Sequence, residues 1–290
     1  MQQKRDLAIV LRSLPYEERH RIVTALTERD GLVSVMAHNA IQSRRFGGAL
    51  EPFTAGQWLY TEKPGAELGR VDEAKTLRAF EGLRKDFERL SLASTFNELI
   101  LRLAPKHQAC SDLFRLHSNA LAALDEEKLE MEPMRFHLVL LNAYLTKLLQ
   151  WSGSQPQILQ CLACRIHVEK LDEDQSLSCI VPDAGWVCMA CRAAGTYHLQ
   201  RQEGHGGGGL SQALLKISPR AVLDFHLGLA LPIRQVPGFA VGTEPEQKEL
   251  FRFLEALFIY HIAGFDQKPL KSLRFLGLES TLQPQATCQL

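Results

Sequence analysis

The sequence predicts an α+β chain of several domains: a small closed β-barrel first, then helices interrupted by a cysteine module. Three observations carry this. Residues 1–75 hold five short β-patterned runs with no long helix between them. From Thr76 the apolar residues recur at helical spacing. Between Cys161 and Cys191 that spacing stops, and two Cys-x-x-Cys pairs stand in its place. The strand and helix periods of two and 3.6 residues make the change of class visible in the pattern of side chains.

In chain order, Arg5 to Leu14 reads as the first strand, ending near Pro15, and His20–Thr27 as the second. Asp30-Gly31 is a tight-turn pair, and Leu32–Met36 returns as the third strand. A loop then carries Ser43-Arg44-Arg45-Phe46-Gly47-Gly48. Phe53–Thr61 is the fourth strand, Pro64-Gly65 a turn, and Glu67–Asp72 the fifth. Five such strands fit a barrel of OB type, which has no free edges and leaves one face and its loops for ligands.

Thr95-x-x-Glu98 reads as a capping box ahead of Phe96, Leu99, Ile100 and Leu103, with Pro105 as the stop. Ser111 is the expected cap of a second helix through Leu113, Leu116, Ala120, Leu121 and Leu124. Met134, Leu138, Leu141, Leu145 and Leu148 mark a third. After the cysteines, Gly206–Gly209 reads as a linker. Ser218-Pro219 is a helix start, and a last helix spans about 245–264. The divisions expected are a barrel over 1–75, helices over 76–160 and 196–266, a cysteine module over 161–195, and a tail over 267–290. The Phe251, Phe253 and Phe258 stripe reads as core rather than as a peptide groove.

Composition excludes some classes. Hydrophobic residues are 46% and charged residues 23%, as in a globular protein. Thirty-three basic side chains balance thirty-three acidic ones, so polyanion binding has to come from local patches rather than bulk charge. No apolar run reaches membrane-spanning length, and MQQKRDLAIVLRSL lacks the apolar core of a secretory signal. Paired cysteines of this kind fit a reducing compartment, so a cytoplasmic location is expected.

Cys161, Cys164, Cys188 and Cys191 form the most specific chemical signal. Two Cys-x-x-Cys knuckles facing each other make a closed tetrahedral S₄ set, which suits a structural Zn²⁺ and leaves no open coordination position. The span between the pairs, residues 165–187, has room for a small hairpin. Cys179 has no such partner and reads as a buried free thiol. His167, His198 and His205 are alternative ligands, but none has knuckle spacing. His167-Val168-Glu169 before Cys188-x-x-Cys191 also echoes the HxE…CxxC pattern of zinc deaminases. Against that reading, Val187 stands where a proline is needed, and Cys161 and Cys164 would be left over. There is no GxSxG and no phosphate loop. Glu126, Glu127, Glu130 and Glu132 read as a solvated face.

A nucleic-acid reading rests on placement. Arg19 and Arg21 enter the second strand, while Arg44 and Arg45 ride a glycine-flanked loop beside Phe46. Cationic loops on a barrel track phosphates, and an aromatic ring stacks a base. The alternative is that these are ordinary solvated arginines.

Three separated stretches resemble the RecO family. The first is Leu14-Pro15-Tyr16-Glu17-Glu18 through Arg21-Ile22-Val23-Thr24 and Gly31-Leu32-Val33-Ser34. The second, and most specific, is Arg45-Phe46-Gly47-Gly48-Ala49-Leu50-Glu51-Pro52-Phe53. The third runs from Met134-Arg135-Phe136 through Leu148-Leu149 and Pro156 to the four paired cysteines, with Gly185 ahead of Cys188. The resemblance implies an OB barrel, a helical domain and a four-cysteine zinc module. It implies a non-enzymatic mediator of DNA repair and recombination. Such a protein binds single- and double-stranded DNA, anneals complementary strands, associates with RecR, binds the C-terminal tail of single-stranded-DNA-binding protein, and helps RecA load. By position, Arg19, Arg21, Arg44 and Arg45 become DNA-contact candidates, with Lys4, Arg5 and Phe46 as further ones, and the four paired cysteines match the zinc ligands. The segment Ala37–Ser43 is less basic than the family's usual version. A protein-interaction adaptor that never touches DNA remains the competing reading.

Overall fold

In a computed structural model of the chain, the residues described are 2–41, 45–62, 65–126, 131–154, 156–197, 215–262, 265 and 270–278. Arg44, Pro64, Glu127, Glu130, His198, His205, the Gly206–Gly209 linker and most of the tail from Gln267 lie outside them. The chain forms two compact units, one over Met1–Lys128 and Leu270–Leu278, the other over Leu129–Pro269.

The first unit opens with five strands: β1 (Gln2–Tyr16), β2 (His20–Thr27), β3 (Gly31–Ala37), β4 (Ala55–Glu62) and β5 (Gly69–Arg78). They pair in the closed order β1-β2-β3-β5-β4, with β4 returning to β1. All pairings are antiparallel except β3 with β5. The alternation decides what fills the barrel: Val23, Ala25, Val33, Val35, Trp58, Tyr60 and Val71 point inward and are buried together. Asp30-Gly31 makes the β2–β3 turn as expected. Gly31 sits at φ +66°, and a Cβ there would lie 2.2 Å from the Pro105 carbonyl oxygen, so only glycine fits.

The fifth strand runs to Arg78, well past Asp72, where helical spacing was expected from Thr76. Pairing with β4, which shifts register at Leu59/Tyr60 and Ala55/Gly56 but runs as far as Ala55↔Arg78, overrides the local pattern. At the Val10/Arg12 bulge, β1 changes register. There the buried Asn97 amide of a neighbouring helix donates to the Leu11 carbonyl at 2.8 Å.

That helix, α1 (Phe87–Leu103), corrects a second expectation. Its cap is Asp86, whose carboxylate accepts from the Arg89 amide. Thr95 is buried in mid-helix and donates to the Ser91 carbonyl, so the Thr95/Glu98 capping box does not form. Glu98 instead accepts from the Lys271 and Ser272 amides and the Ser272 hydroxyl, holding the short 3₁₀ turn Leu273–Leu276 on α1. In α2 (Ser111–Asp125) the cap position is Cys110 rather than Ser111, and no side chain caps it. Glu126 is not simply solvated, since Arg78 pairs with it and with Asp125.

The second unit is built on α3 (Pro133–Trp151), which is buried almost all round from Phe136 to Leu149. Such a helix needs neighbours on every side. It packs against α5 (Pro219–Ala230) and α7 (Glu244–His261), two later helices of the unit. Glu132, expected as part of an exposed face, caps α3 by accepting from the Met134 and Arg135 amides. Ser218 caps α5 as read, accepting from Ala221, and Thr243 with Glu246 forms the capping box of α7. Phe251, Phe253 and Phe258 are all buried, so they are core and line no groove. Between α3 and α5 come β6 (Leu177–Ile180), β7 (Gly185–Val187), α4 (Met189–Ala193) and β8 (Lys216–Ile217). The three strands form one small sheet in the order β7-β6-β8. A short helix, α6 (Val236–Phe239), separates α5 from α7.

Candidate functional site

The cysteine cluster is assembled from two turns. The first follows the Gln160↔His167 bridge: Cys161 donates its amide to the Ile166 carbonyl, and the Arg165 amide returns to the Cys161 carbonyl. Arg165 takes the left-handed conformation at φ 63° that this tight turn needs. The second lies at the end of β7, where Cys188 stands just ahead of α4 and Cys191 sits within it. Trp186, fully buried one residue ahead of Val187, anchors this strand by donating its indole N–H to the Ile158 carbonyl.

Together the turns bring Cys161, Cys164, Cys188 and Cys191 into one set, with all four sulfurs within 4.8 Å of one another. Cys164 and Cys188 Sγ are 3.8 Å apart. Burial works against ionising Cys161. The amides of Cys188, Cys164 and Ala163 nevertheless point at its sulfur and bring its pKa down to about 7. Burial, and then the neighbouring sulfurs, push Cys188 up to about 12. Four converging sulfurs, one already polarised toward thiolate, are the donor chemistry a thiophilic divalent ion takes. Among the described residues this is the group that could hold a metal.

The set is complete without histidine. His167 lies ahead of a 3₁₀ turn with its Nδ1 3.4 Å from the Glu169 amide, outside the sulfur group. The deaminase reading needs His167 in place of a thiol and Glu169 beside the metal, and the four-sulfur group forms without either. Cys179 is buried in β6 away from the cluster, as expected for a structural thiol.

The barrel arginines fall into two groups. Arg21 is bound up: its Nη1 pairs with Glu51 at 2.8 Å and reaches Ser13 at 3.3 Å, on the inward-facing parity of β2. Lys4 lies between Glu62 at 2.9 Å and Asp30 at 3.0 Å. Burial opposes its charge, but the bonds to Glu62 and Asp30 raise its pKa, so it stays charged and neutralised locally. Arg45 donates to the Asp72 carbonyl and lies 5.2 Å over the Phe46 ring. Phe46, expected to stack a base, is instead buried in the barrel core with Leu50 and Val71, and offers no face to a ligand.

Arg5, Arg12 and Arg19 are different. All three are exposed, and none makes an ion pair among the described residues. Arg12 was not singled out from sequence; it starts the segment of β1 that follows the bulge and faces outward. Beyond it on the same face come Leu14 and Tyr16, both exposed.

With this geometry in view, comparison with known proteins shows what the chain is similar to over most of its length. Residues 1–80 match the family described as Recombination protein O N terminal, and residues 84–274 match Recombination protein O C terminal. The DNA repair protein RecO of Anaeromyxobacter sp. (strain Fw109-5) is 33% identical over 248 residues, covering 78% of this chain and 92% of that protein. That of Anaeromyxobacter dehalogenans (strain 2CP-C) is 33% identical over 247 residues with the same coverage. That of Syntrophus aciditrophicus (strain SB) is 26% identical over 270 residues, covering 92% of each. The chain belongs to the RecO family. No helix among the described residues is long and apolar enough to cross a membrane.

Proposed function

We propose that this chain is a non-enzymatic mediator of DNA repair and recombination. It binds single- and double-stranded DNA, anneals complementary strands, and works with RecR to help load RecA onto strands coated by single-stranded-DNA-binding protein, whose C-terminal tail it binds. The setting is the cytoplasm, at the nucleoid. The observation that carries the reading is the outer surface of the barrel, where Arg12 and Arg19 stand exposed without a carboxylate partner among the described residues. Cations so placed displace counterions from phosphates, which gives binding that weakens with salt. The closed order β1-β2-β3-β5-β4 supports an OB-type barrel, an architecture whose outer face and loops take oligonucleotides. Two strands held on one positive surface repel each other less, which favours annealing.

The metal in this reading is one structural Zn²⁺ per chain, held by Cys161, Cys164, Cys188 and Cys191. It would tie the turn after Gln160 to the start of α4 and leave no position for a substrate. Treating the barrel, the helices and the cysteine module as separate domains is part of the same proposal.

The direct test is strand annealing on oligonucleotides coated with single-stranded-DNA-binding protein, with and without that protein's tail. Acceleration that depends on the tail supports a mediator. A chain that binds the tail but no oligonucleotide at low salt is an adaptor. Arg44→Ala with Arg45→Ala tests the loop after β3: lower affinity and a salt slope flatter by up to about two units place it in the DNA path, and an unchanged slope removes it.

A further inference from the structure

The outward face of β1, β2 and β3 carries side chains that a solvated barrel wall does not need. Strand alternation sends Val23, Val35 and Ala37 into the core, so Ile22, Thr24, Ser34 and Met36 point out. The register then sets these residues in rows across the three strands. Arg12, Thr24 and Ser34 form one row, with the two hydroxyls 3.2 Å apart. Leu14, Ile22 and Met36 form the next. Tyr16 stands across from His20 in the third, and the His20 ring meets His38 edge to face, centroids 5.0 Å apart at 80°.

This wall is only partly covered: Leu14 is 41% and Tyr16 42% exposed, and the remaining apolar members are half-buried. Ile41, also exposed, is drawn to the hairpin tip by its amide bond to the Arg19 carbonyl. Arg12 bounds the face at one end and Arg19 at the other. Glu17, 3.8 Å from His20, and Glu18 border the tip and limit its net charge. The segment Ala37–Ser43 adds no lysine or arginine, only the His38 ring and the Ile41 side chain.

We infer that this face is a base-stacking platform for single-stranded nucleic acid, with Tyr16, His20 and His38 as the ring surface and Arg12 and Arg19 as the phosphate contacts. The inference rests on the DNA-binding reading above and places the single-strand contact on residues outside the Arg44–Arg45 loop. Rings accept bases of any sequence because every base has a π face. A duplex keeps those faces inside its own stack, so the platform selects single strands. Three rings toward one end of a face that has an unpaired arginine at each end suit a polyanion with flat apolar groups better than a protein surface, which needs a wider patch. Because the charge here is modest, stacking carries a large share of the affinity, and part of the binding survives high salt.

The test uses the full chain and fluorescence anisotropy with a labelled oligo-dT and an abasic strand of equal length. The native protein is expected to prefer oligo-dT. Tyr16→Ala is expected to weaken oligo-dT roughly 5- to 150-fold, the range of losing one stacked base. It leaves abasic binding and the salt slope unchanged, and Tyr16→Phe restores affinity. Tyr16 is exposed, so an unchanged melting curve is expected to accompany the loss. Equal binding of the two strands by native protein, or oligo-dT binding unaffected by Tyr16→Ala and His38→Ala, overturns the platform and leaves the DNA-binding reading standing. Absence of binding to either strand overturns both. If Tyr16→Ala changes only the sedimentation of the protein, the face joins copies of the chain and the inference is wrong.

Discussion

The Cys188 amide donates to the Cys161 sulfur at 3.4 Å, although the two residues lie on different turns of the chain. The contact lowers the pKa of the first thiol while the second keeps its proton through burial and crowding by sulfur. Binding of a metal by this set near neutral pH would therefore expel protons, that of Cys188 among them. Titration with Zn²⁺ in weak buffer is expected to saturate at one equivalent, to acidify the solution, and to weaken as pH falls through 7. Chelation or Cys188→Ser is expected to expose the segment around residues 161–191 to protease. Structural zinc–thiolate sites in small peptides contribute on the order of 10 kcal/mol, comparable with the stability of a whole domain.

Glu98 supplies a second, pH-dependent clasp. Burial opposes its charge, but the Lys271 and Ser272 amides, the Ser272 hydroxyl and Arg102 outweigh this and lower its pKa. A lowered carboxylate contributes stability that is complete above its unfolded value of 4.5 and is lost as pH falls below it. Glu98→Ala is expected to cost about 1.5–3 kcal/mol, the worth of hydrogen bonds to a charged group. Hydrogen exchange at residues 270–278 should rise in the variant at pH 7, and in the native chain only in acid.

His117 works in the same pH direction from a buried histidine. Full burial on α2 lowers its pKa to about 3 from an ordinary 6.5. Between those values the unfolded chain takes up a proton that the folded chain refuses. Stability present above 6.5 therefore declines by up to about 1.4 kcal/mol per pH unit on acidification. Urea unfolding at pH 7.5 and 5.5 should show this slope, and His117→Gln should flatten it.

Gly31→Ala is expected to destabilise the barrel unit by more than about 1 kcal/mol. The added carbon would strike the Pro105 and Gln108 carbonyl oxygens, and φ is positive there. Thermal melting of the variant checks it, and a neutral effect would mean the β2–β3 turn can relax.

Much of this was legible in the sequence because short-range rules govern it. His20–Thr27 is a strand with the expected ends, Asp30-Gly31 turns, Ser218 caps α5, and the four paired cysteines converge. Partners distant in the chain decided what was not legible. The pairing of β4 drew β5 on to Arg78, and the 270–272 backbone claimed Glu98 from its supposed cap. Phe46 looks like a stacking ring beside two arginines, yet the barrel needs it as core. Arg21 and Lys4 look free until Glu51, Asp30 and Glu62 fold against them. Tyr16 and Arg12 do not stand out in the sequence, because only the register after the bulge puts them on one outward face. The alternation of residues 12, 14 and 16 was the available signal.

The most direct test of the central claim is the salt dependence of single-strand binding by the native chain and by an Arg12→Ala, Arg19→Ala double variant. Binding at low salt is expected, with log K falling linearly in log salt and a slope shallower by up to about two units in the variant. No binding at low salt, or identical slopes for the two proteins, would contradict a barrel that grips DNA through these arginines.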